Sequence, residues 1–437
     1  MNALDLVYLP LAALTAPWWA RKTRADWPAR FGKMEAVADR GMPRVLLHAV
    51  SVGETNALRQ LVPRLAERAH VIVSVGTDTG IKRARELYSG VADVVRYPLD
   101  FSWAVGRFLE ATRPDVVGLV ELEVWPNFVG ACRRRGIPVA VINGRLSERS
   151  FKGYRRLRAF FRGPFGAIAL VAAQEEDYAA RFEAMGVSRD RIRVTGSMKW
   201  DATRIEDEVV GSELLARDLG IARGPGAPPL VVAGSTGPGE EALMAGACAE
   251  VEREIGPVQL LCAPRKPERF DDAATALGEC VRRSATPGAD RASDRSVAKT
   301  CATNPVRESR RFLLDTIGEL RQAYSLADVV VVGRSFGDLF GSDPIEPIAL
   351  GKATVIGPAV SDFAAIVAEF ERGGGLVRAT RETLAGTLAR LLKSAAERAA
   401  LAEAGRACIR ARQGASLAHA EMLMGLVSRV RPRRPSA

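Results

Sequence analysis

From Arg44 onward, short β-branched runs alternate with amphipathic stretches, and this alternation restricts the chain to one class of architecture. RVLLHAV, HVIVSVG, DVVGLVE, PVAVING and AIALVAA are apolar through most of their length and bounded by glycine, proline or polar residues. Near-continuous apolar runs suit strands buried on both faces. Between them lie TNALRQLVPRLAERA and TGIKRARELY, which read as helices. The pattern predicts a parallel, doubly wound sheet. This first cycle closes near QEEDYAARFEAMG and RIRVTGSMKWD.

A second cycle starts after the Gly/Pro-rich connector GIARGPGAPP (Gly220–Pro229). LVVAGST leads into GEEALMAGACAEVERE, and VQLLCAP, RFLLDT, DVVVVGRS and ATVIGP follow. At 437 residues the chain exceeds one ordinary core, so two domains are expected. The expected division is residues 34–215 for a first Rossmann-like domain and 225–415 for a second. Residues 416–437 form a C-terminal helix and basic tail, the tail disordered. Residues 282–310 are polar and aperiodic and read as a mobile surface loop. Paired domains of this kind bind ligands between them, at the carboxyl ends of their strands. Residues with chemical work to do should therefore lie just after strands.

Composition excludes several classes. The six cysteines (Cys132, Cys248, Cys262, Cys280, Cys301, Cys408) include no CxxC pair and the three histidines are far apart. A zinc centre or disulfide framework is not expected. Net charge is +11 and the pI is about 9.7, which suits anionic partners. No nucleic-acid motif with interleaved aromatics accompanies that charge, and no nucleic-acid partner is expected.

Residues 6–20, LVYLPLAALTAPWWA, are apolar and end in two tryptophans, with RKTR immediately after. Such a run falls short of the ~20 residues a spanning helix needs, and two prolines interrupt it. A secretory signal has its positive charge first; here the charge follows. Aromatic and basic flanks fit a segment resting in the membrane interface against anionic lipid. Residues 1–33 are accordingly read as membrane-associating, on the cytoplasmic side. A core helix packed on the first domain is the other reading.

Three post-strand segments of the first cycle hold candidate chemistry: Glu54 after HAVSVG, Glu121 and Glu123 in VELEVWPN, and Lys199 in VTGSMKWD. Acids at strand ends facing a cleft are suited to accepting a proton. Glu54 also reads as a favourable first-turn residue of a helix, and the two readings stand together. Glu121, placed in an apolar strand, needs a partner or a raised pKa. In the second cycle, CAPRKPERF sets Arg265, Lys266 and Arg269 after a strand, where a phosphate is well held. DTIGELRQAY opens a helix with Gly318, and GSDPIEPIALG offers Asp343 and Glu346 around prolines. Cations for a phosphate and a carboxylate for ribose hydroxyls are what a nucleotide monophosphate requires, although surface arginines and helix-start acids are common without any ligand.

The chain resembles the 3-deoxy-D-manno-octulosonic acid (Kdo) transferases that prime lipopolysaccharide core synthesis. HAVSVGE, YPLDFSWAVGRFLEATRPD, VELEVWPN, NGRLSERSFKGYRR, VTGSMKWD, GSTGPGEE, PRKPERF, DTIGELRQAYSLAD and DPIEPIALGKATVIGP occur in family order across nearly the whole chain. The resemblance implies a metal-independent, two-domain glycosyltransferase of GT-B type, inverting, with CMP-Kdo as donor substrate, no cofactor and a lipid A precursor as acceptor. It implies work at the cytoplasmic face of the bacterial inner membrane. The base of the family's S-V-G-E block falls on Glu54. The first acid of its E-x-E-x-W-P block falls on Glu121 and the lysine of V-T-G-x-x-K on Lys199, both as transition-state supports. For CMP it points to Pro264, Arg265, Ile317, Gly318, Glu319, Asp343, Pro344, Ile345 and Glu346.

The chain departs from the family at five places. Ala29 replaces a glutamate, Gly237 the histidine of an S-T-H block and Lys266 the histidine after Pro-Arg. Ser342 and Asp343 stand in a Gly-Gly-His-Asn stretch. Two other readings remain at this stage: a GT-B transferase using another activated sugar, and a non-catalytic envelope paralogue.

Overall fold

The computed structural model describes residues 2, 4–6, 8–10, 26–286 and 310–430. Most of the apolar N-terminal run with RKTR, the stretch 287–309 and the tail 431–437 lie outside the described residues. The chain divides into two compact units, Met1–Ala202 with Arg412–Ala437, and Thr203–Ala411.

The first unit holds strands β1 (Arg44–Ala49), β2 (His70–Val75), β3 (Asp93–Arg96), β4 (Val116–Val120), β5 (Val139–Gly144), β6 (Leu170–Ala173) and β7 (Ile192–Val194) in the order β3-β2-β1-β4-β5-β6-β7. The second holds β8 (Leu230–Thr236), β9 (Gln259–Pro264), β10 (Val281–Arg282), β11 (Arg311–Leu313), β12 (Val329–Val332), β13 (Ala353–Ile356) and β14 (Val377–Arg378) in the order β10-β11-β9-β8-β12-β13-β14. Every pairing is parallel, with Leu47 opposite Val73 on one side and Gly118 on the other. β1, β2, β4 and β5 are buried along their whole length, as continuous apolar runs require. Each is covered on both faces by helices, the arrangement expected for doubly wound sheets.

Helix breaks follow local chemistry. TNALRQLVPRLAERA, read as one helix, forms two, Val52–Ala57 and Leu61–Ala66. Pro63 has no N–H, and in a continuous helix its ring would meet the carbonyl four residues earlier. It is tolerated here in a first turn. At the start of the stretch read as a mobile loop, Arg282 and Arg283 are instead anchored. Arg282 pairs with Asp315 at 2.7 Å, and Arg283, 3% exposed in its side chain, pairs with Glu319 at 3.0 Å.

The division between units differs from the sequence reading at both ends. Residues 203–215 belong to the second unit, where Arg406 binds Asp207 Oδ1 at 2.7 Å and the Glu206 carbonyl at 2.8 Å. The C-terminal helix Ala415–Val430 returns to the first unit. Asp201 accepts the Gly414 and Ser416 N–H groups at its start, and Leu423, Leu426 and Val427 enter the core that surrounds Val45, Leu47 and Val73.

Residues 4–6 and 8–10 are helical and rest on the first unit through polar contacts. Asp5 accepts the Ser102 N–H at 2.9 Å, and the Tyr8 hydroxyl donates to Asp100 at 3.2 Å. Leu6 and Leu9 stay exposed. Among the described residues no helix is long and apolar enough to cross a membrane.

Candidate active site

In an open parallel sheet the ligand crevice lies outside the carboxyl ends of the strands where strand order reverses. That point lies between β1 and β4 in the first unit and between β8 and β12 in the second.

Glu54 follows β1. Ser51 caps the helix Val52–Ala57, its Oγ accepting the Glu54 N–H at 3.3 Å. In return Glu54 Oε1 accepts the Ser51 hydroxyl at 2.9 Å and Oε2 accepts the Val50 N–H at 2.7 Å. This reciprocal S-x-x-E arrangement satisfies donors that a helix start leaves open. The first-turn reading of Glu54 is therefore realised, and it immobilises the carboxylate. Each carboxylate oxygen accepts more than one hydrogen bond, so acceptor capacity remains. Burial raises the Glu54 pKa, the Val50 and Ser51 hydrogen bonds oppose the rise, and the charge of Glu121 adds to it.

Glu121 does not lie inside a strand. β4 ends at Val120, and Glu121 turns away with φ 59°, its N–H on the Ile142 carbonyl at 3.0 Å. A side-chain-bearing residue rarely takes that left-handed conformation. Glu123 then comes to the same place. Burial pushes its pKa up to about 7, against the 2.8 Å hydrogen bond from Trp125 Nε1 and with the charges of Glu54 and Glu121 adding. Three carboxylates thus face one another's fields at the reversal point. Beneath them His48 stacks on Tyr97 with ring centroids 3.5 Å apart; burial pushes its pKa down to about 3, so it brings no positive charge.

Lys199 sits on the four-residue helix Met198–Asp201. The Met198 N–H donates to Asn143 Oδ1 at 3.0 Å, which ties this helix to the end of β5, the strand beside β4. Asn143 is fully buried with φ 51°. Sequence reasoning passed over it, although Asn before Gly at a strand end is a usual left-handed position. Lys199 is exposed and has no ion pair among the described residues.

In the second unit β8 carries a bulge at Ser235, φ 56°, between its pairings with β9 at Gly234 and Thr236. The Gly234 Cα leaves room for Tyr324, whose hydroxyl would stand 2.1 Å from an added Cβ. Tyr324 is buried and hydrogen-bonded to Ser235. Burial first, then the charges of Glu346 and Asp343, push its pKa above the usual 10, and Arg265 opposes them. Arg265, Asp343 and Glu346, distant in sequence, thus surround one phenol. Pro264 ends β9 opposite Thr236, and Arg265 is exposed without an ion pair among the described residues. Asp343 Oδ1 accepts the Ile345 N–H at 2.9 Å ahead of the helix Ile345–Ala349, with Pro344 at its cap. Glu346 pairs with Arg321 at 3.3 Å.

Two of the side chains expected near the ligand are held by partners within the protein. The Glu319 carboxylate is gripped by Arg283 Nε and Nη2 and by the Thr316 hydroxyl at 2.6 Å, which fixes the Ile317–Gly318 turn and leaves Ile317 exposed. Arg269, read as a phosphate ligand, is held by the buried Glu241. Lys266 pairs on the surface with Glu268 at 3.5 Å. Sequence reasoning also missed Glu240, 2% exposed, which accepts four backbone N–H groups: Gly237, Arg334, Ser335 and Phe336, at 2.6 to 3.0 Å. Among the described residues no group of three or more His, Cys, Asp or Glu side chains is placed to hold a metal ion.

The sequence model of the 3-deoxy-D-manno-octulosonic-acid transferase (kdotransferase) family matches residues 25–202. A 3-deoxy-D-manno-octulosonic acid transferase of Bordetella pertussis is 33% identical over 429 residues, covering 93% of this chain and 94% of that protein. One from Haemophilus influenzae is 26% identical over 423 residues, covering 94% and 93%. Among solved structures, the UDP-GlcNAc 2-epimerase of Neisseria meningitidis bound to UDP-GlcNAc is similar with a TM-score of 0.56 at 13% identity, over 87% of this chain and all of that one. Anabaena HepE in complex with UDP is similar with a TM-score of 0.57 at 16% identity, over 88% of this chain and all of that one. At such identities these structures speak to the two-domain α/β fold. The Bordetella relative, matched along almost its full length, decides the family: this chain belongs to the 3-deoxy-D-manno-octulosonic-acid transferases.

Proposed function

We propose that the protein is a GT-B glycosyltransferase that moves Kdo from CMP-Kdo to a lipid A precursor, with inversion at the anomeric carbon. The observation that carries this reading is the fixed carboxylate of Glu54, with its raised pKa, beside Glu121 and Glu123 where strand order reverses. Glu54 takes the proton of an acceptor hydroxyl. The freed oxygen pair forms the new bond to the anomeric carbon, and the bond to phosphate breaks with its electron pair leaving on CMP from the opposite face. Positive charge develops on the sugar, and Glu121 stabilises it. The second unit holds the nucleotide through Pro264, Arg265, the Ile317–Glu319 turn and Asp343–Glu346. Lys199 and Arg265 offset charge on the departing phosphate, so EDTA should leave turnover unchanged.

The acceptor and membrane parts of the reading have their own support. The helix Glu148–Arg156 buries no residue, and Arg149, Arg156 and Arg158 have no ion pair among the described residues. Leu157 beside them is 60% exposed and Phe160 38%. Cations mixed with exposed apolar side chains suit a phosphorylated lipid at an anionic surface. Work at the cytoplasmic face of the bacterial inner membrane is part of this proposal, and a basic surface with exposed apolar side chains supports it.

The test is incubation with CMP-Kdo and a tetra-acylated, bisphosphorylated lipid acceptor, read by product mass. Acceptor gaining the mass of Kdo is expected. No product from CMP-Kdo, with transfer from a UDP-sugar instead, would overturn the reading.

A further inference from the structure

Arg334 follows β12 at the reversal point of the second sheet, with φ 59°. A glycine would adopt that conformation freely, and residues with side chains avoid it. Strain of this kind persists where the surroundings over-determine it. Glu240 does so here: its buried carboxylate accepts the N–H groups of Arg334 at 2.6 Å, Ser335 at 2.9 Å and Phe336 at 3.0 Å. The same carboxylate accepts the Gly237 N–H at 2.7 Å, joining the segment after β12 to the one after β8. What this clamp positions is one arginine side chain.

The stem of that side chain leans toward β8. Its Cγ lies 3.5 Å from where a Cβ on Gly237 would stand, and Leu339 Cδ1 lies 2.6 Å from the same point. Position 237 is where the resemblance expects a histidine, and Arg334 and Leu339 fill its space. Arg334 is half-buried, and its guanidinium has no ion pair or side-chain hydrogen bond among the described residues. On the other side of β8, at the end of β9, stands the unpaired Arg265. The carboxyl end of β8 is therefore flanked by two unpaired guanidinium groups on chains about 10 Å apart, two interstrand spacings.

A CMP-linked 3-deoxy-ulosonic acid carries two anionic groups on its anomeric carbon, the phosphodiester and the sugar carboxylate. Arg265 serves the phosphate in the reading above, on which this step rests. We infer that Arg334 binds the sugar carboxylate of the donor and so selects an acidic sugar over a neutral one. The planar fork of arginine matches a carboxylate with two parallel hydrogen bonds.

The test compares wild type, Arg334→Gln and Arg334→Gly in the full-length protein, by calorimetric titration with CMP and by KM for CMP-Kdo. Arg334→Gly relieves the backbone strain, so its thermal midpoint should not fall, and it guards against a loss caused by misfolding. CMP has no sugar carboxylate. Both variants should bind CMP within about threefold of wild type while KM for CMP-Kdo rises at least tenfold. An unchanged KM, or a loss of CMP affinity equal to the loss for CMP-Kdo, would overturn the inference while wild-type turnover kept the function intact. Wild type that binds CMP but does not turn over CMP-Kdo would overturn the donor reading and this inference together.

Discussion

Arg269 grips Glu241 with both prongs of its guanidinium, Nη1 3.0 Å from one carboxylate oxygen and Nη2 2.9 Å from the other. Glu241 is fully buried and also accepts the Thr236 hydroxyl at 2.6 Å. Removing one partner of a buried pair leaves an uncompensated charge, at a cost of about 3–5 kcal/mol. Arg269→Ala should therefore lose stability of that order in denaturant unfolding, with CMP affinity unchanged in the molecules that remain folded. A variant of wild-type stability that fails to bind CMP would return Arg269 to the phosphate.

Glu123 sets a second prediction. Its folded-state pKa of about 7 stands above the ordinary 4.5. The folded chain thus keeps a proton that the unfolded chain has released, and stability falls as pH rises from about 4.5 to 7. Glu123→Gln keeps an acceptor for Trp125 and removes that slope. The Glu54 pKa is raised by burial and by the charge of Glu121, with no contribution from Glu123, so the acid limb of the kcat/KM profile should stay where it is in this variant. An acid limb moved to lower pH would show Glu123 to be charged while Glu54 titrates.

Much of this architecture was legible in advance, and the part that was not has a common cause. RVLLHA and VVGLV read as buried parallel strands because continuous apolar runs leave little else to form. Glu54 was visible because an acid after a strand, a serine and a glycine has few places to go. Glu240 was not visible, since it looks like any helix-start acid and three of its partners lie 94 to 96 residues further along the chain. Arg269 reads locally as a phosphate ligand because nothing local to PRKPERF announces its pairing with Glu241. Glu121 reads as part of a strand because VELEVW continues the apolar run, while in the fold the chain turns out of β4 there with φ 59°, its N–H still on the Ile142 carbonyl of β5. Strand identity is local; the partners of polar side chains are set by topology.

Asn143 links stability to catalysis. Alanine there leaves the Met198 N–H unsatisfied at a buried site, costing roughly 1–3 kcal/mol, and frees the helix that carries Lys199. Small misplacements of a catalytic group cost up to about 10²-fold in rate. Asn143→Ala should lower both the thermal midpoint and kcat, leaving KM for CMP-Kdo near wild type. A lowered midpoint with unchanged kcat would confine Asn143 to structure.

The basic helix is open to a direct test. Each arginine near an anionic surface contributes about 1 kcal/mol, so replacing Arg149, Arg156 and Arg158 by serine should weaken binding to anionic vesicles roughly 100-fold. The residual binding should depend less on salt. Equal binding of the variant and wild type in flotation assays would remove this face from the membrane.

Glu54→Gln decides the central claim. Glutamine serves at the third helical position of the cap as glutamate does, so the helix start survives the change and only the basicity is lost. A general base contributes typically 10²–10⁴-fold. Turnover of CMP-Kdo with the lipid acceptor should drop by at least about 100-fold while CMP binds as tightly as to wild type. Full turnover by the glutamine variant would contradict the account.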